Sequence, residues 1–320
     1  MKIKALVIMP LDESQKRHIA QFQNNIDFEI CNDCKVSEEQ ISDAQIIIGN
    51  PPVNLLAYAD KLKWLQLVTA GADMYLRDNL LDEKVIVTNA SGAYGDAQSE
   101  IMLSLLLSMY KKLNHYRDNQ LRHIWKDEGE EKMLSGSTAL VLGMGNIGSE
   151  FAKKLKALGV YVIGVRRSGN KNTQYADEIY SFEELDKHIS RADIISMSLP
   201  SSPQTVKLMN KEMISRIKTG SVLINVGRGS TLDTDALCEA LENGKLSAAA
   251  LDVFENEPLP PSHKLWNMKN VIITPHIAGR DFLPHTLDKT ISIIMKNLEA
   301  YIKGNNLINI VDRNIYEFKL

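Results

Sequence analysis

The segment 137–169, STALVLGMGNIGSEFAKKLKALGVYVIGVRRSG, contains the strongest indication of fold in this chain. It opens with an apolar run, passes through the turn GMGNIG into a helical pattern, and closes with a second apolar run. Gly143, Gly145 and Gly148 have the spacing GxGxxG, which is meaningful when a strand precedes it and a helix follows. The segment therefore predicts a βαβ unit whose turn and helix N-terminus hold the pyrophosphate of a dinucleotide.

A glycine is needed at each of these three positions for a different physical reason. Gly143 permits the tight turn, Gly145 lets the backbone approach a pyrophosphate, and Gly148 lets the helix pack closely on the strand. Asn146 and Ile147 lie between them, and we predict that they also contact the cofactor. In the alternative interpretation the glycines serve only the packing of the turn.

Length and charge narrow the class of protein. The chain has 320 residues, which at roughly 150 residues per domain predicts two domains. Charged residues make up 24% and hydrophobic residues 44%, the balance of a soluble globular protein. The formal net charge is -3, and no basic stripe exists that would displace the counterions of a nucleic acid. We therefore expect small-molecule partners, with neither nucleic acid nor membrane among them.

The N-terminus and the cysteines indicate the compartment. The run MKIKALVIMP is short and no small-residue cleavage site follows it, so it is typical of a first strand, and we expect a cytoplasmic protein. Three cysteines are too few for a disulfide framework. Cys31 and Cys34 form a CxxC that lacks a second zinc pair and follows a strand candidate. Ordinary loop cysteines are expected there, with redox chemistry or metal binding as the alternative, and no metal site is predicted.

Hydrophobic patterning predicts the fold class. Apolar runs alternate with helical patterns from the N-terminus, which predicts a parallel sheet with helices on both faces. The stretch 99–125 interrupts this rhythm with a long helix that is apolar on nearly every side in its first half. The alternation restarts at the glycine motif, and the stretch 286–304 is a last amphipathic helix. The predicted fold is α/β, with two doubly wound parallel-sheet domains.

Three later motifs follow apolar strand runs: NVGRG with Arg228, LDVFENEP with Asp252 and Glu257, and TPHIAG with His276. In an open parallel sheet the carboxyl ends of the strands line the ligand crevice, so these side chains are predicted to face the cofactor. An Arg, a Glu and a His can bind a carboxylate, tune an imidazole and transfer a proton. Those are the functions needed to reduce a keto acid.

These motifs together resemble those of the D-isomer-specific 2-hydroxyacid dehydrogenases. The resemblance runs from VTAGADMYL and NASGAYGDAQSEIMLSLLL, through the glycine motif, to SLPSSPQTVKLMN, INVGRGSTLDTDAL, ALDVFENEP and TPHIAG. It implies a Rossmann dinucleotide-binding domain, residues 98–280, inserted in a flavodoxin-like substrate domain of residues 1–97 and 281–320. It also implies hydride transfer from a nicotinamide cofactor to a small 2-keto acid, giving the D-2-hydroxy acid.

The resemblance also implies roles for the motif residues. Arg228 would bind the substrate carboxylate and carbonyl, which a bidentate guanidinium suits better than a lysine. His276 would be the acid and base, and Glu257 would hold its second ring nitrogen and favour the protonated form. Asp252 would accept a hydrogen bond from the nicotinamide carboxamide. The alternatives are a structural salt bridge for Arg228, an acidic surface turn for Glu257 and a strand-end cap for Asp252.

Further site residues are implied in the same way. The loop 69–73, TAGAD, resembles one whose backbone amides hold the substrate carboxylate, which makes Ala70, Gly71 and Ala72 substrate-binding residues. The remaining predicted cofactor contacts are Pro200, Thr205, Val226, Gly227 and Gly279.

The three tryptophans, Trp64, Trp125 and Trp266, have no specific signal in the sequence and are interpreted as packing residues.

Arg166 and Arg167 stand where an acidic residue would hold the ribose hydroxyls and repel a 2′-phosphate. With Ser168 they offer two guanidinium groups and a hydroxyl to a phosphate. We therefore predict NADP as the cofactor, with NAD possible, and a preference for NADPH of about ten- to a hundredfold. The alternatives are that the arginines are solvated loop charges or stack on adenine without discriminating.

Rival classes lack parts of this pattern. Formate dehydrogenases lack the acidic partner that Glu257 supplies, and glycine-motif hydrolases and amino acid dehydrogenases lack the ordered Arg, Glu and His motifs. Corepressors of the same superfamily keep the triad but usually carry long tails, whereas this chain ends at RNIYEFKL, so we expect an enzyme. The all-round apolar helix predicts a homodimer. Which 2-keto acid is reduced stays open, because one or two apolar contacts decide it.

Overall fold

A computed structural model describes residues 2–77, 80–167, 174–279 and 283–316. The chain divides into a first unit, residues 1–94 and 280–320, and a second unit, residues 95–279. The helices are α1 Glu13–Ala20, α2 Glu38–Asp43, α3 Gly95–Tyr110, α4 Leu113–Leu121, α5 Asn146–Ala157, α6 Leu185–His188, α7 Lys211–Arg216, α8 Thr234–Glu242 and α9 Pro284–Lys303. The strands are β1 Ile3–Ile8, β2 Ile26–Ile30, β3 Ile46–Gly49, β4 Trp64–Gln66, β5 Ile86–Thr88, β6 Thr138–Leu142, β7 Tyr161–Val165, β8 Glu178–Tyr180, β9 Ile194–Met197, β10 Ser221–Asn225, β11 Leu246–Leu251 and β12 Val271–Ile273.

The first unit is built on a parallel sheet in the order β2-β1-β3-β4-β5. This is the flavodoxin-like order. Successive side chains of a strand point to opposite faces, so Ala5 and Val7 pack in one apolar cluster and Leu6 and Ile8 in another. Helix α9 contributes Ile294 to the first of these clusters. Both faces of the sheet are therefore covered, as a parallel sheet requires.

The second unit is built on a parallel sheet in the order β12-β11-β10-β9-β6-β7-β8. Read from β8, this is the Rossmann order with one added strand, and the order reverses between β6 and β9. Ala139 and Val141 of β6 pack with α3 and α5 on one face, and Leu140 and Leu142 pack with α8 on the other. The carboxyl ends of all these strands lie at the same edge.

The predicted fold class is confirmed: both units are doubly wound parallel-sheet domains. The long helix predicted over 99–125 is wrong as a single element: α3 and α4 are separated at Lys112, which has φ 52°. Met102 and Leu106 of α3 are fully buried in the apolar cluster with β6, but Leu103 and Leu107 are only partly buried, so α3 is not covered on every side. The domain boundaries at 97/98 and 280/281 stay predictions, and the second falls on Arg280 and Asp281, outside the described residues. None of the described helices is long and apolar enough to cross a membrane.

The three tryptophans do not share one role. Trp64 is fully buried and stacks on Tyr301, with ring centroids 5.1 Å apart. Trp266 is half exposed, and its indole N–H donates to the Pro260 carbonyl at 3.0 Å. Trp125 is fully exposed, so the interpretation of all three as packing residues is wrong for this one. After α4 the chain leaves the helical path at His123, which has φ 56°, and the side chains of Ile124 and Trp125 that follow are exposed.

Candidate active site

The glycine-rich turn between β6 and α5 has the geometry of an anion site. Gly143 has φ 97°, and a Cβ on it would lie 2.9 Å from the Ser198 carbonyl oxygen. A Cβ on Gly148 would lie 2.0 Å from the Gly143 carbonyl oxygen, so α5 can approach β6 only through a glycine. Gly145, by contrast, faces open space, and no side chain caps α5 there. The first N–H groups of α5 are therefore not satisfied by a side-chain cap, and the turn fits a pyrophosphate.

The two residues after Gly145 have different surroundings. The Asn146 Oδ1 accepts a hydrogen bond from the Gly95 N–H at 2.8 Å, and a Cβ on Gly95 would collide with this amide. This hydrogen bond links the beginning of α3 to the glycine-rich turn. Ile147 is half-buried and packs against the apolar cluster of α3 and α5.

Arg166 and Arg167 directly follow β7. Arg166 is half-buried and its backbone N–H donates to the Tyr180 carbonyl at 3.0 Å, while Arg167 is exposed. Ser168, predicted to join them, lies outside the described residues. The two guanidinium groups therefore follow the strand next to the glycine-rich turn, where a positive charge suits a phosphorylated ribose.

The turn after β9 carries two further predicted residues. The Thr205 hydroxyl donates to the Pro200 carbonyl at 2.6 Å and accepts from the Ser202 N–H at 2.9 Å. Thr205 is buried, whereas Pro200 is exposed. The hydroxyl of Thr205 therefore shapes the turn, and a contact of either residue with a cofactor stays a prediction.

The loop after β10 presents Arg228. Val226, predicted to contact the cofactor, is buried, and its N–H donates to the Met197 carbonyl at 3.0 Å. A Cβ on Gly227 would lie 2.6 Å from the backbone of Leu199. The half-buried Arg228 donates from its guanidinium to the Gly227 carbonyl at 2.9 Å, one of its contacts. The loop is thus packed tightly along its whole path.

Asp252, directly after β11, organises the loop that carries His276. It is 1% exposed, and its carboxylate accepts from the Thr274 hydroxyl at 2.6 Å and from the N–H groups of Ile277 and Ala278 at 2.9 Å each. Its own carbonyl accepts the His276 N–H at 2.9 Å. A buried carboxylate is stable only when donors satisfy it, and here the loop supplies them. This geometry agrees with the strand-end cap, and a contact with the nicotinamide carboxamide stays a prediction.

His276 and Glu257 form a close pair. The His276 Nδ1 lies 2.7 Å from the Glu257 Oε2, and Glu257 Oε1 accepts the Phe254 N–H at 2.9 Å. The His276 side chain is 51% exposed and its backbone has φ 52°, in the left-handed region. One ring nitrogen is thereby held and oriented by a carboxylate, while half of the side chain faces solvent. A cavity of about 370 Å³ adjoins the pair, and its apolar lining includes Trp266 and Ile273.

Backbone hydrogen bonds connect these strand ends beyond the regular sheet. The Asp252 N–H donates to the Asn225 carbonyl at 3.0 Å, and the His276 N–H donates to the Asp252 carbonyl. The ends of β10, β11 and β12 are thus linked in one ladder. Arg228, Asp252 and His276 therefore belong to one rigid edge of the second unit. Gly279, the last predicted cofactor contact, closes the His276 loop and is half-buried.

The loop 69–72 of the first unit offers backbone donors. Asn50 accepts the Val68 N–H at 3.2 Å, and Asn89 donates to the Ala70 carbonyl at 2.7 Å. The N–H groups of Ala70, Gly71 and Ala72 meet no acceptor among the described residues. Such a run of free N–H groups can hold a carboxylate.

The cysteine pair has the properties of ordinary loop cysteines. Cys31 is half-buried, Cys34 is exposed with φ 59°, and the Cys34 N–H donates to the Cys31 carbonyl at 3.2 Å. Burial raises the pKa of both thiols, the opposite of what a reactive thiolate needs.

Sequence reasoning did not identify Asn225, Thr231 and Asn50, which hold two of the predicted site loops. The available signal was a polar side chain at the end of a buried strand, as in SVLINVGRG and IIIGN. An amide in such a place must find partners, and the nearest backbone groups belong to the loop that follows.

Comparison with known proteins agrees with this geometry. Residues 103–278 match the model of the D-isomer specific 2-hydroxyacid dehydrogenase, NAD binding domain. The chain is 32% identical to a glyoxylate reductase of Aeropyrum pernix over 278 residues, 83% of this chain and 81% of that protein. It is 29% identical to a hydroxypyruvate reductase of Blautia hydrogenotrophica over 287 residues, 86% and 87% of the two chains.

A solved structure gives the same result. The crystal structure of a D-isomer specific 2-hydroxyacid dehydrogenase from Xanthobacter autotrophicus, in complex with NADPH and MES, superposes with a TM-score of 0.80. The match has 25% sequence identity and covers 98% of this chain and 99% of that one. The ordered strand ends, the glycine-rich turn and these matches lead to one conclusion. The chain belongs to the D-isomer-specific 2-hydroxyacid dehydrogenase family and is an NAD(P)-dependent oxidoreductase that acts on 2-keto and 2-hydroxy acids.

Proposed function

We propose that this enzyme reduces a small 2-keto acid to the D-2-hydroxy acid, with Arg228, Glu257 and His276 as its catalytic residues. The observation that supports the proposal most strongly is the 2.7 Å contact between His276 Nδ1 and Glu257 Oε2. Backbone hydrogen bonds link the segment that contains His276, through Asp252, to the end of β10, the strand that precedes Arg228. The names of the relatives, glyoxylate reductase and hydroxypyruvate reductase, support a substrate with a short side chain.

His276 acts as the proton donor. A bound reduced nicotinamide supplies the hydride to the keto carbon. Glu257 occupies Nδ1, so Nε2 is the ring nitrogen left to protonate the keto oxygen as its negative charge develops. In the oxidative direction the same nitrogen takes the proton back. Since half of the His276 side chain is exposed, solvent can restore its proton between turnovers.

Arg228 binds the substrate rather than transferring a proton. A guanidinium is always charged and pairs with a carboxylate through two parallel hydrogen bonds, so it fixes the direction of the keto group. In the first unit, the N–H groups of Ala70, Gly71 and Ala72 meet no acceptor among the described residues, and we propose them as donors for a carboxylate.

The cofactor is proposed to be NADPH in preference to NADH. The supporting observation is that Arg166 and Arg167 stand directly after β7, without an acidic residue in this position to repel a 2′-phosphate. The related structure from Xanthobacter autotrophicus contains NADPH.

A homodimer is proposed as the assembly. Several large apolar side chains around α4 and beyond it are exposed, namely Leu113, Leu121, Ile124, Trp125 and Met133. Apolar side chains in such number are typical of a surface that another chain covers. Light scattering at working concentration should give a mass near twice 35.9 kDa, and a monomer would contradict the proposal.

Turnover with a substrate panel tests the reaction. The panel contains glyoxylate, hydroxypyruvate, pyruvate, a branched 2-keto acid and 2-ketopantoate, each with NADPH and with NADH. We expect turnover with at least one of them, and for a chiral product we expect the D isomer on a chiral column. An L product would contradict the assignment of the reacting face, and absence of turnover with the whole panel would favour a binding role without catalysis.

A further inference from the structure

The Arg228 loop is held by a buried side chain on its own strand. Asn225 is the last residue of β10 and is fully buried. Its Oδ1 accepts the Gly227 N–H at 3.1 Å, and its Nδ2 donates to the Arg228 carbonyl at 3.2 Å. The opposite orientation of the amide would place donor against donor and acceptor against acceptor. The amide therefore fits the loop in one way only.

Thr231 holds the same carbonyl from the other side. It is fully buried, and its hydroxyl donates to the Arg228 carbonyl at 2.6 Å while its N–H donates at 3.2 Å. With Asn225, three donors converge on one carbonyl oxygen. A carbonyl oxygen has two lone pairs, so three donors occupy both of them, two sharing one, and leave the Arg228 peptide little freedom to rotate.

Backbone contacts on both sides prevent the loop from moving as a whole. A Cβ on Gly227 would lie 2.6 Å from the Leu199 N and O atoms, and one on Gly229 would lie 1.9 Å from the Phe254 carbonyl carbon. The loop thus lies between the segments that follow β9 and β11. Arg228 is the one residue of this tight turn that carries a long side chain.

We propose that Asn225 and Thr231 are positioning residues for Arg228: they fix its backbone so that the guanidinium meets the substrate carboxylate in bidentate geometry. This inference rests on the proposed function. A buried amide and a buried hydroxyl cost stability unless both are satisfied, and an apolar side chain would fill the same space without that cost. Their partners are the loop itself, and a bidentate contact loses much of its strength when its geometry is displaced by about 1 Å.

Thr231 offers the cleaner test because it has a matched pair of substitutions. Thr231→Val keeps the shape of the side chain and removes the hydroxyl donor, whereas Thr231→Ser keeps the hydroxyl. The measurements are kcat and KM for the keto acid best used by the wild type, the inhibition constant of oxamate, and the cofactor Kd from fluorescence titration. We expect Thr231→Val to raise the keto acid KM and the oxamate constant about tenfold, with the cofactor Kd within about twofold of wild type. Thr231→Ser should stay close to wild type.

A double-mutant cycle separates positioning from general destabilisation. In an Arg228→Ala background, Thr231→Val should have no further effect on the oxamate constant if it acts only through Arg228. Asn225→Ala should follow the same pattern with a larger loss, and circular dichroism gives the folded fraction of each variant. Wild-type kinetics in Thr231→Val, or additive effects in the cycle, would overturn the inference. If wild-type protein turns over the keto acid but Arg228→Ala binds oxamate normally, the proposed role of Arg228 fails instead.

Discussion

Arg228 and Arg166 both follow strands of the same sheet, but their surroundings differ. The Arg228 carbonyl accepts three hydrogen bonds, and neither neighbouring glycine has room for a side chain. Arg166 has a backbone hydrogen bond to Tyr180, and the next residue, Arg167, is exposed. A group that aims a reacting carbonyl needs fixed geometry, whereas a group that selects a phosphate by charge needs only to be near it. Substitutions at the β10–β12 ends should therefore act on turnover, and substitutions at the β7 end on cofactor choice.

The largest effect is expected from His276→Ala, which tests whether the ends of β10 to β12 determine turnover. Removing the proton donor should lower kcat about 10²- to 10⁴-fold, because general acid catalysis contributes that much. The cofactor Kd, measured by fluorescence titration, should stay nearly unchanged. Retained turnover would remove His276 from the mechanism.

Asp252→Asn tests whether the hydrogen bonds that position the His276 loop are needed for turnover. An Asn side chain presents an N–H₂ group to one of the three donors that now bind the carboxylate, so the His276 loop should shift. We expect kcat to fall by about tenfold to a hundredfold. An unchanged cofactor Kd would favour the strand-end cap, and a cofactor Kd raised in proportion to the loss of kcat would favour a contact with the nicotinamide carboxamide.

Arg166→Asp tests whether the end of β7 determines the choice of cofactor. The wild type should prefer NADPH, and the substitution should lower the ratio of kcat/KM for NADPH over NADH by about ten- to a hundredfold. The kcat with saturating NADH should change little, since the substitution leaves the β10–β12 ends intact. A wild-type preference for NADH, or an unmoved ratio, would mean that the arginines are not a phosphate site.

Glu257→Gln is expected to have the smallest effect. Gln keeps an oxygen that can accept a hydrogen bond from the Nδ1–H of His276, but a neutral amide accepts it more weakly than a carboxylate does. We expect kcat for reduction to fall about fivefold, with the cofactor Kd nearly unchanged. A kcat equal to that of the wild type would contradict the role of Glu257 as the partner of the imidazole.

The fold was predictable from the sequence because its signals are local. The glycine motif and the alternation of apolar runs with helical patterns are read within windows of about ten residues, and they predicted both parallel sheets. Arg228, Glu257 and His276 were located because each follows a strand run. The pairing of Glu257 with His276, 19 residues apart in sequence, was implied by the family resemblance and not by a local pattern, because it depends on how two strand ends are joined in space.

Other features were beyond the reach of sequence patterns. Asp252 had two interpretations because its donors lie 22 to 26 residues further along the chain. Asn225 is a polar residue at the end of a buried strand, which indicates that its amide needs partners, but the pattern does not say that these are the Gly227 N–H and the Arg228 carbonyl. The exposure of Trp125 follows from the path of the chain after α4, which no residue pattern in that stretch determines.

The contrast between Trp64 and Trp125 has a spectroscopic consequence. Trp64 is enclosed beside Tyr301, whereas the indole of Trp125 lies entirely in water. Iodide, a quencher that stays in water, can collide with the exposed indole but not with the enclosed one. The fraction of the intrinsic fluorescence that iodide removes, compared between wild type and Trp125→Phe at several protein concentrations, therefore reports without any label whether another surface covers Trp125.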